Sequence, residues 1–236
     1  MGDCLDAIPL IPSKSIDMIF ADLPYALTRC HWDLLIPFER LWPEYERVIK
    51  DNGAILFTAS QPFTSLLILS NLKLFRYCWI WEKSKATGYL NAKKMPLKAH
   101  EDICVFYKHL PIYNPQMENG EPYNKGKALR PTDVYGKQVE TLVENKTGLR
   151  YPRTVIYFKT AESEGKVIHP TQKPISMVEY FIKTYSNEGD IILDNVAGSF
   201  TTAIASQKNN RKWICIEKEK TFCEIGEERI KKYFDK

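Results

Sequence analysis

Short apolar runs that stop at polar or turn residues alternate along this chain with stretches whose apolar positions recur every three or four residues. Residues 15–21 (SIDMIFA) predict a buried strand ending in the polar loop Asp22-Leu23-Pro24-Tyr25. After Pro37, the positions Phe38, Leu41, Trp42, Tyr45, Val48 and Ile49 have helical spacing. Asp51-Asn52-Gly53 is expected to stop that helix, with a strand over 54–58 directly after it. A helix near 64–72 and strands near 77–81 and 103–107 continue the alternation. From about 109 to 150 the pattern lapses into a polar stretch rich in Gly, Pro, Asn and Lys, expected to be an insertion with little core of its own. It resumes with a strand at 154–158, a helix over 174–185, a strand at 190–194, a helix from 199, a strand over 212–217 and a last helix from 219. The expected architecture is therefore α/β, one sheet domain of residues 1–108 and 154–236 interrupted by a segment at 109–153.

Composition narrows this picture only slightly. A chain of 236 residues with 44% hydrophobic content can bury one large core but leaves little room for two. Its 33 Lys and Arg against 29 Asp and Glu give +4, which permits a polyanionic partner without demanding one. The six cysteines form no CxxC pair and have no histidines at zinc-site spacing, so they are expected to be reduced thiols with no metal. The start of the chain lacks a basic, then apolar leader, and no apolar run is long enough to span a bilayer; a cytoplasmic protein is expected.

Two loops carry the candidate chemistry. In Ile191-Ile192-Leu193-Asp194-Asn195-Val196-Ala197-Gly198-Ser199-Phe200-Thr201-Thr202, a strand ends in an acid, turns through small residues and enters a helix. That arrangement turns free backbone N–H groups toward a ligand. About twenty residues on, the next strand ends at Glu217, where an acid can accept from both hydroxyls of a ribose. The full GxGxxG pattern is absent, so these residues by themselves indicate a nucleoside cofactor only weakly.

The second loop is Asp22-Leu23-Pro24-Tyr25. Methylating an exocyclic amine requires acceptors that hold the NH2 group and aim its lone pair at a methyl donor. The Asp22 carboxylate and the Leu23 carbonyl supply two, and Tyr25 can stack on a base. Together with His169-Pro170-Thr171-Gln172-Lys173-Pro174 and the DNVAGSFTT loop, the tetrapeptide resembles the bacterial and phage N6-adenine/N4-cytosine DNA methyltransferases. The order of these parts resembles the circularly permuted β group of that family.

The resemblance implies a Rossmann-like, seven-stranded mixed sheet that uses S-adenosyl-L-methionine, in an enzyme of DNA methylation and restriction-modification. It implies that Asp22, Leu23, Pro24 and Tyr25 line the pocket of a base extruded from double-stranded DNA, with adenine favoured over the alternative, N4 of cytosine, because the cytosine enzymes more often begin this motif with Ser. It implies contacts to the cofactor from Asp194, Ala197, Gly198, Ser199 and Phe200, from Glu217 at the ribose, and from Asp3 and Cys4 at the adenine edge. Asp22, His169, Thr171, Gln172 and Lys173 would line its methionine end. A nucleoid-associated location follows, and monomer and homodimer both stay open.

Three departures stand out. Leu23 replaces a proline, but a backbone carbonyl is available from any residue. Phe200 stands where the family has Gly, so either its ring turns away from the cofactor or binding weakens. Relatives also carry a short strand before the equivalent of Gly2-Asp3, and its lack is expected to loosen the adenine pocket. In the insertion, Lys125, Lys127, Arg130, Lys137, Lys146, Arg150 and Arg153 are interleaved with Tyr113, Tyr123, Tyr135 and Tyr151, a mixture suited to phosphates and base edges. The rival of another class is a DNA-binding relative that has lost cofactor affinity through Phe200.

Overall fold

The structure is a computed structural model that describes residues 1–28, 30–128, 136, 139–169 and 171–234. In chain order the strands are β1 (Ile16–Ala21), β2 (Ile49–Ala59), β3 (Phe75–Thr87), β4 (Lys98–Phe106), β5 (Tyr123–Ala128), β6 (Thr141–Asn145), β7 (Val155–Phe158), β8 (Ile191–Asp194) and β9 (Lys212–Cys215). The helices are α1 (Cys4–Ala7), α2 (Phe38–Val48), α3 (Phe63–Ser70), α4 (Ile175–Tyr185), α5 (Thr201–Lys208) and α6 (Lys220–Phe234).

Seven strands form one sheet in the order β7-β3-β4-β2-β1-β8-β9. All neighbours pair in parallel except β4, which is antiparallel to both β2 and β3. Every residue of β1 is buried, because the strand lies mid-sheet with helices over both faces. Successive side chains alternate between the faces. Ile19 joins Leu41, Trp42, Tyr45 and Phe63 of α2 and α3, whereas Met18 and Phe20 join Met177, Val178, Phe181 and Ile204 of α4 and α5.

The Asp51-Asn52-Gly53 stop is corrected by the structure: α2 ends at Val48, and these residues lie within β2. Pairing with β1 jumps from Ile16↔Ile49 to Met18↔Ala54 across them, so the segment is an irregularity in the strand. Gly53 is needed there because a Cβ would sit 2.7 Å from the Asp17 carbonyl oxygen. β3 and β4 also run well past the expected spans, in a polar part of the sequence with no alternating pattern.

The chain divides into two compact units, Met1–Asn114 with Thr154–Lys236, and Pro115–Arg153. Residues 109–114 belong to the first unit, where Tyr113 packs against Tyr185 with ring centroids 5.9 Å apart. The second unit contains the antiparallel β5–β6 pair, which runs from Tyr123↔Asn145 to Ala128↔Thr141 with a register shift between Asn124 and Lys127. Gly148 occupies the left-handed region at φ 77°, where a side chain is strained and a Cβ would meet the Gly120 carbonyl. Arg130, Tyr135 and Lys137 of the expected basic set lie outside the described residues. No helix among the described residues is long and apolar enough to cross a membrane.

Candidate active site

The carboxyl ends of β1, β2, β8 and β9 come out on one edge of the sheet. β4 runs the other way, so its beginning, with Glu101, comes out there too. Loops at this edge enclose a cavity of about 940 Å³. It is lined by Asp22, Leu23, Pro24 and Tyr25 after β1, by Asp194 and residues 195–199 after β8, and by Glu217 after β9. Asp3, Cys4, His169, Thr171, Gln172 and Lys173 line it as well, so residues dispersed over more than two hundred positions converge on one space.

Asp22 is held by three donors. Its Oδ1 accepts from the Tyr25 hydroxyl at 2.7 Å and from the Thr58 hydroxyl, and its Oδ2 from Lys173 Nζ at 2.6 Å. A carboxylate has about four lone-pair positions, so one acceptor position remains. Lys173 Nζ also lies 3.5 Å from Glu101 Oε2, and Lys83 Nζ lies 3.2 Å from Glu101 Oε1. Burial works against the Lys173 charge, but Asp22 and then Glu101 outweigh it and push its pKa up to about 12. The Tyr25 ring stacks on Phe63 at 4.8 Å, and burial holds its hydroxyl well above the usual phenol range.

The loop after Asp22 is tied by a residue that patterning overlooks. Asp33 accepts from the backbone N–H groups of Ala26, Leu27 and Thr28 at 2.9, 3.0 and 2.7 Å. Burial raises this carboxyl, but the Thr28 hydroxyl and then these N–H groups outweigh it and hold it below its ordinary range.

At the second loop, Asp194 Oδ2 accepts from the Thr202 hydroxyl at 2.6 Å and Oδ1 from the Val196 N–H at 3.1 Å. Burial nevertheless raises it to about 7. Glu217 takes the Gly198 N–H at 2.7 Å on one oxygen and the Glu219 N–H at 2.8 Å on the other. Arg229 of α6 braces the loop from behind, donating to the Ser199 carbonyl at 2.8 Å and the Thr201 hydroxyl at 2.9 Å.

Asp3 caps α1 by accepting from the Leu5 N–H at 2.9 Å and lies 3.1 Å from Lys218 Nζ. The Leu5 N–H, first, lowers its pKa. Gly2 N–H donates to the Glu217 carbonyl at 2.8 Å, which brings α1 beside the end of β9. Burial pushes the Cys4 thiol up and keeps it neutral.

His169 is also neutral, its pKa lowered chiefly by burial. Its Nδ1 faces the Thr171 hydroxyl at 3.2 Å, and its ring lies between Trp32 at 5.3 Å and Phe222 at 4.3 Å. Pro170 lies outside the described residues.

Phe200 is the one expected cofactor residue that the structure does not bring to the cavity. Its backbone takes the left-handed conformation at φ 60°, and its ring packs with Ala197, Ala203, Trp213 and Ile230. Gly226 of α6 makes room for it, since a Cβ there would be 2.1 Å from the ring. The ring therefore points away from the site. Sequence reasoning also missed Thr58, Lys83, Glu101, Trp32 and Phe222. Each is an ordinary strand, loop or helix residue whose role appears only when the sheet assembles.

Such a cavity, at the carboxyl edge of a largely parallel sheet and between two strand-end acidic loops, is where Rossmann-like α/β proteins bind their ligands. The DNA methylase family model (N6_N4_Mtase) matches residues 16–228, and the chain belongs to that N6/N4 DNA methylase family. It is 29% identical over 263 residues to the DNA adenine methyltransferase YhdJ of Escherichia coli K12, covering 97% of this chain and 81% of that protein. It is 27% identical to the type II methyltransferase M.HpaI of Haemophilus parainfluenzae, covering 99% of this chain and 74% of that protein. Among solved structures, the M1.HpyAVI–SAM complex aligns with a TM-score of 0.64 at 22% identity, covering 97% of this chain and 96% of that one. The cytosine-N4-specific PvuII DNA methyltransferase aligns with 0.67 at 16% identity, covering 100% and 90%. At these identities the two structures bear on the fold.

Proposed function

We propose that this chain transfers the methyl group of S-adenosyl-L-methionine to N6 of an adenine extruded from double-stranded DNA. The observation that carries the reading is that the DLPY loop and the 194–199 loop line one continuous cavity. A volume of about 940 Å³ is at the upper end of ligand pockets, room for a nucleoside cofactor and a base together. The buried Asn195, whose amide nitrogen has only the weakly accepting Cys4 thiol beside it, lines the same space and fits a polar ligand there.

Bound S-adenosyl-L-methionine supplies an electrophilic sulfonium methyl. Glu217 would hold its ribose, Asp3 and Cys4 its adenine edge, and the 194–199 loop, with His169, Thr171 and Gln172, its amino-acid end. Among the described residues no backbone group donates to the Leu23 carbonyl. That carbonyl and the remaining acceptor position of Asp22 would take the two amine hydrogens, which turns the nitrogen lone pair toward the methyl. Both acceptors would stabilise the positive charge that the amine nitrogen would gain as its bond to the methyl carbon forms and the carbon–sulfur bond breaks, the electron pair leaving on the neutral thioether sulfur. The amine then gives one proton to solvent. Tyr25, backed by Phe63, presents an aromatic surface for the flipped base, whose extrusion costs roughly a few kcal/mol.

Adenine is favoured by the acidic first residue of DLPY and by the adenine specificity named for YhdJ. The 115–153 unit is proposed as the target-recognition segment, with Lys125, Tyr123 and Arg150 among its reading groups.

Titration of S-adenosyl-L-methionine into wild type, Asp22→Ala and Glu217→Ala separates the two loops. Asp22→Ala should bind the cofactor as wild type does and transfer no methyl to mixed-sequence DNA. Glu217→Ala should bind it about tenfold or more weaker, the scale of a lost hydrogen bond to a charged group. Near-normal turnover by Asp22→Ala overturns the assignment.

A further inference from the structure

β3 and β4 pair regularly from Tyr77↔Val105 to Glu82↔His100, and then the register breaks before Thr87↔Lys98. Beyond that break the two strands leave the sheet as a hairpin, and every residue from 84 to 100 is exposed. Between positions 83 and 100 the sequence has five lysines (83, 85, 93, 94 and 98) and no Asp or Glu. Lys83 is committed to Glu101, but Lys93 and Lys94 pair with no carboxylate among the described residues.

The tip of the hairpin is built. Gly88, at φ 88°, starts a 3-10 turn over Tyr89–Asn91, and turn bonds from Ala92 to Tyr89 (3.1 Å) and from Lys94 to Asn91 (2.8 Å) continue it. This turn holds Tyr89 and Leu90 outward, 77% and 83% exposed. A positioned aromatic and a leucine amid unpaired lysines fit a partner that is both polyanionic and flat-faced. The base of the hairpin is also part of the active site, since Lys83 and Thr87 line the cavity.

In the 115–153 unit Lys125 likewise pairs with no carboxylate among the described residues, but three other cations there are engaged. There Lys146 lies 3.4 Å from Glu144, Lys127 4.0 Å from Glu140, and the Arg150 guanidinium 4.7 Å above the Tyr123 ring while it also donates to the Glu121 carbonyl.

We infer that the 83–98 hairpin is a DNA-contacting element in its own right. Lys93 and Lys94 bind backbone phosphates, and Tyr89 with Leu90 presses on exposed base faces next to the cavity mouth. The inference rests on the reading that this chain acts on DNA, and goes beyond it in placing a contact outside the 115–153 unit.

The test measures fluorescence anisotropy of a labelled mixed-sequence duplex against salt concentration, with wild type, Lys93→Ala/Lys94→Ala and Tyr89→Ala/Leu90→Ala. Each phosphate contact contributes about 0.9 to the slope of log affinity against log salt, so the lysine variant should lose about 1.8 of slope. The Tyr89→Ala/Leu90→Ala variant should bind several-fold more weakly at every salt concentration with its slope unchanged. Both should match wild type in melting temperature and in S-adenosyl-L-methionine binding. Slopes and affinities equal to those of wild type overturn the inference, as does a change in sedimenting size with no change in DNA binding, which would mark the tip as a contact between copies of the chain. If wild type itself neither binds DNA nor methylates it, the DNA reading fails; if wild type does both and the variants match it, only the hairpin's role fails.

Discussion

Lys173 Nζ lies 2.6 Å from Asp22 Oδ2, so the carboxylate that leads the DLPY loop is ion-paired to a residue 151 positions away. The Lys173 side chain is only 11% exposed and is shared with Glu101, so the cation is the centre of a buried charge cluster. Lys173→Met would leave two carboxylates short of a partner. The expected cost is about 3–5 kcal/mol, the usual penalty for breaking a buried ion pair on one side. Thermal unfolding reads this, and adding Asp22→Asn to Lys173→Met should restore part of the loss.

Phe200 and Gly226 form a second coupled pair. Gly226→Ala alone should destabilise the protein by about 2 kcal/mol or more, because the methyl would overlap the Phe200 ring. In a Phe200→Gly background, the same change should be stabilising by up to about 1 kcal/mol, the helix preference of Ala over Gly. A double-mutant cycle in urea denaturation checks the reversal of sign.

Asp194 links folding to pH. Burial raises its pKa from 3.8 to about 7, so the folded protein keeps a proton that the unfolded chain releases. The stability this proton contributes is present at low pH and is lost as pH rises through that window. Asp194→Asn lacks the titration. The stability of wild type relative to this variant should therefore fall from about pH 4 to about pH 7 and level off above it. A constant offset between the two proteins would contradict the prediction.

Asp33 holds the Ala26–Thr28 backbone with three N–H bonds. Asp33→Ala leaves those donors to water and loosens the loop that follows Tyr25. We expect faster amide exchange at 26–28 and a turnover at least tenfold lower, with cofactor binding close to wild type. Exchange measured by mass spectrometry on the 20–35 peptide reads the first effect.

Much of this was legible in the sequence for a physical reason. The buried strands β1 and β8 are short runs, apolar but for Asp17, that lead into Asp22 and Asp194, so strand ends and candidate acids could be read together. The outward turn of Phe200 was one of two alternatives, and only Gly226, 26 positions on, decides between them. Glu101 and Thr58 were not legible, because a lone Glu or Thr at a strand end has no local signature. Their position depends on β4 running antiparallel beside β2. The hairpin at 83–98 was missed for the opposite reason: it is exposed on all sides, so neither the period of a strand nor that of a helix marks it.

Methyl transfer to adenine N6 through Asp22 leaves its product on the DNA. Its most direct test is to incubate the protein with mixed-sequence DNA and S-adenosyl-L-methionine carrying a deuterated methyl, then digest the DNA and identify the nucleosides by mass spectrometry. Wild type should yield deuterated N6-methyladenine and Asp22→Ala none; N4-methylcytosine in its place, or equal label with the variant, rules out adenine N6 transfer through Asp22.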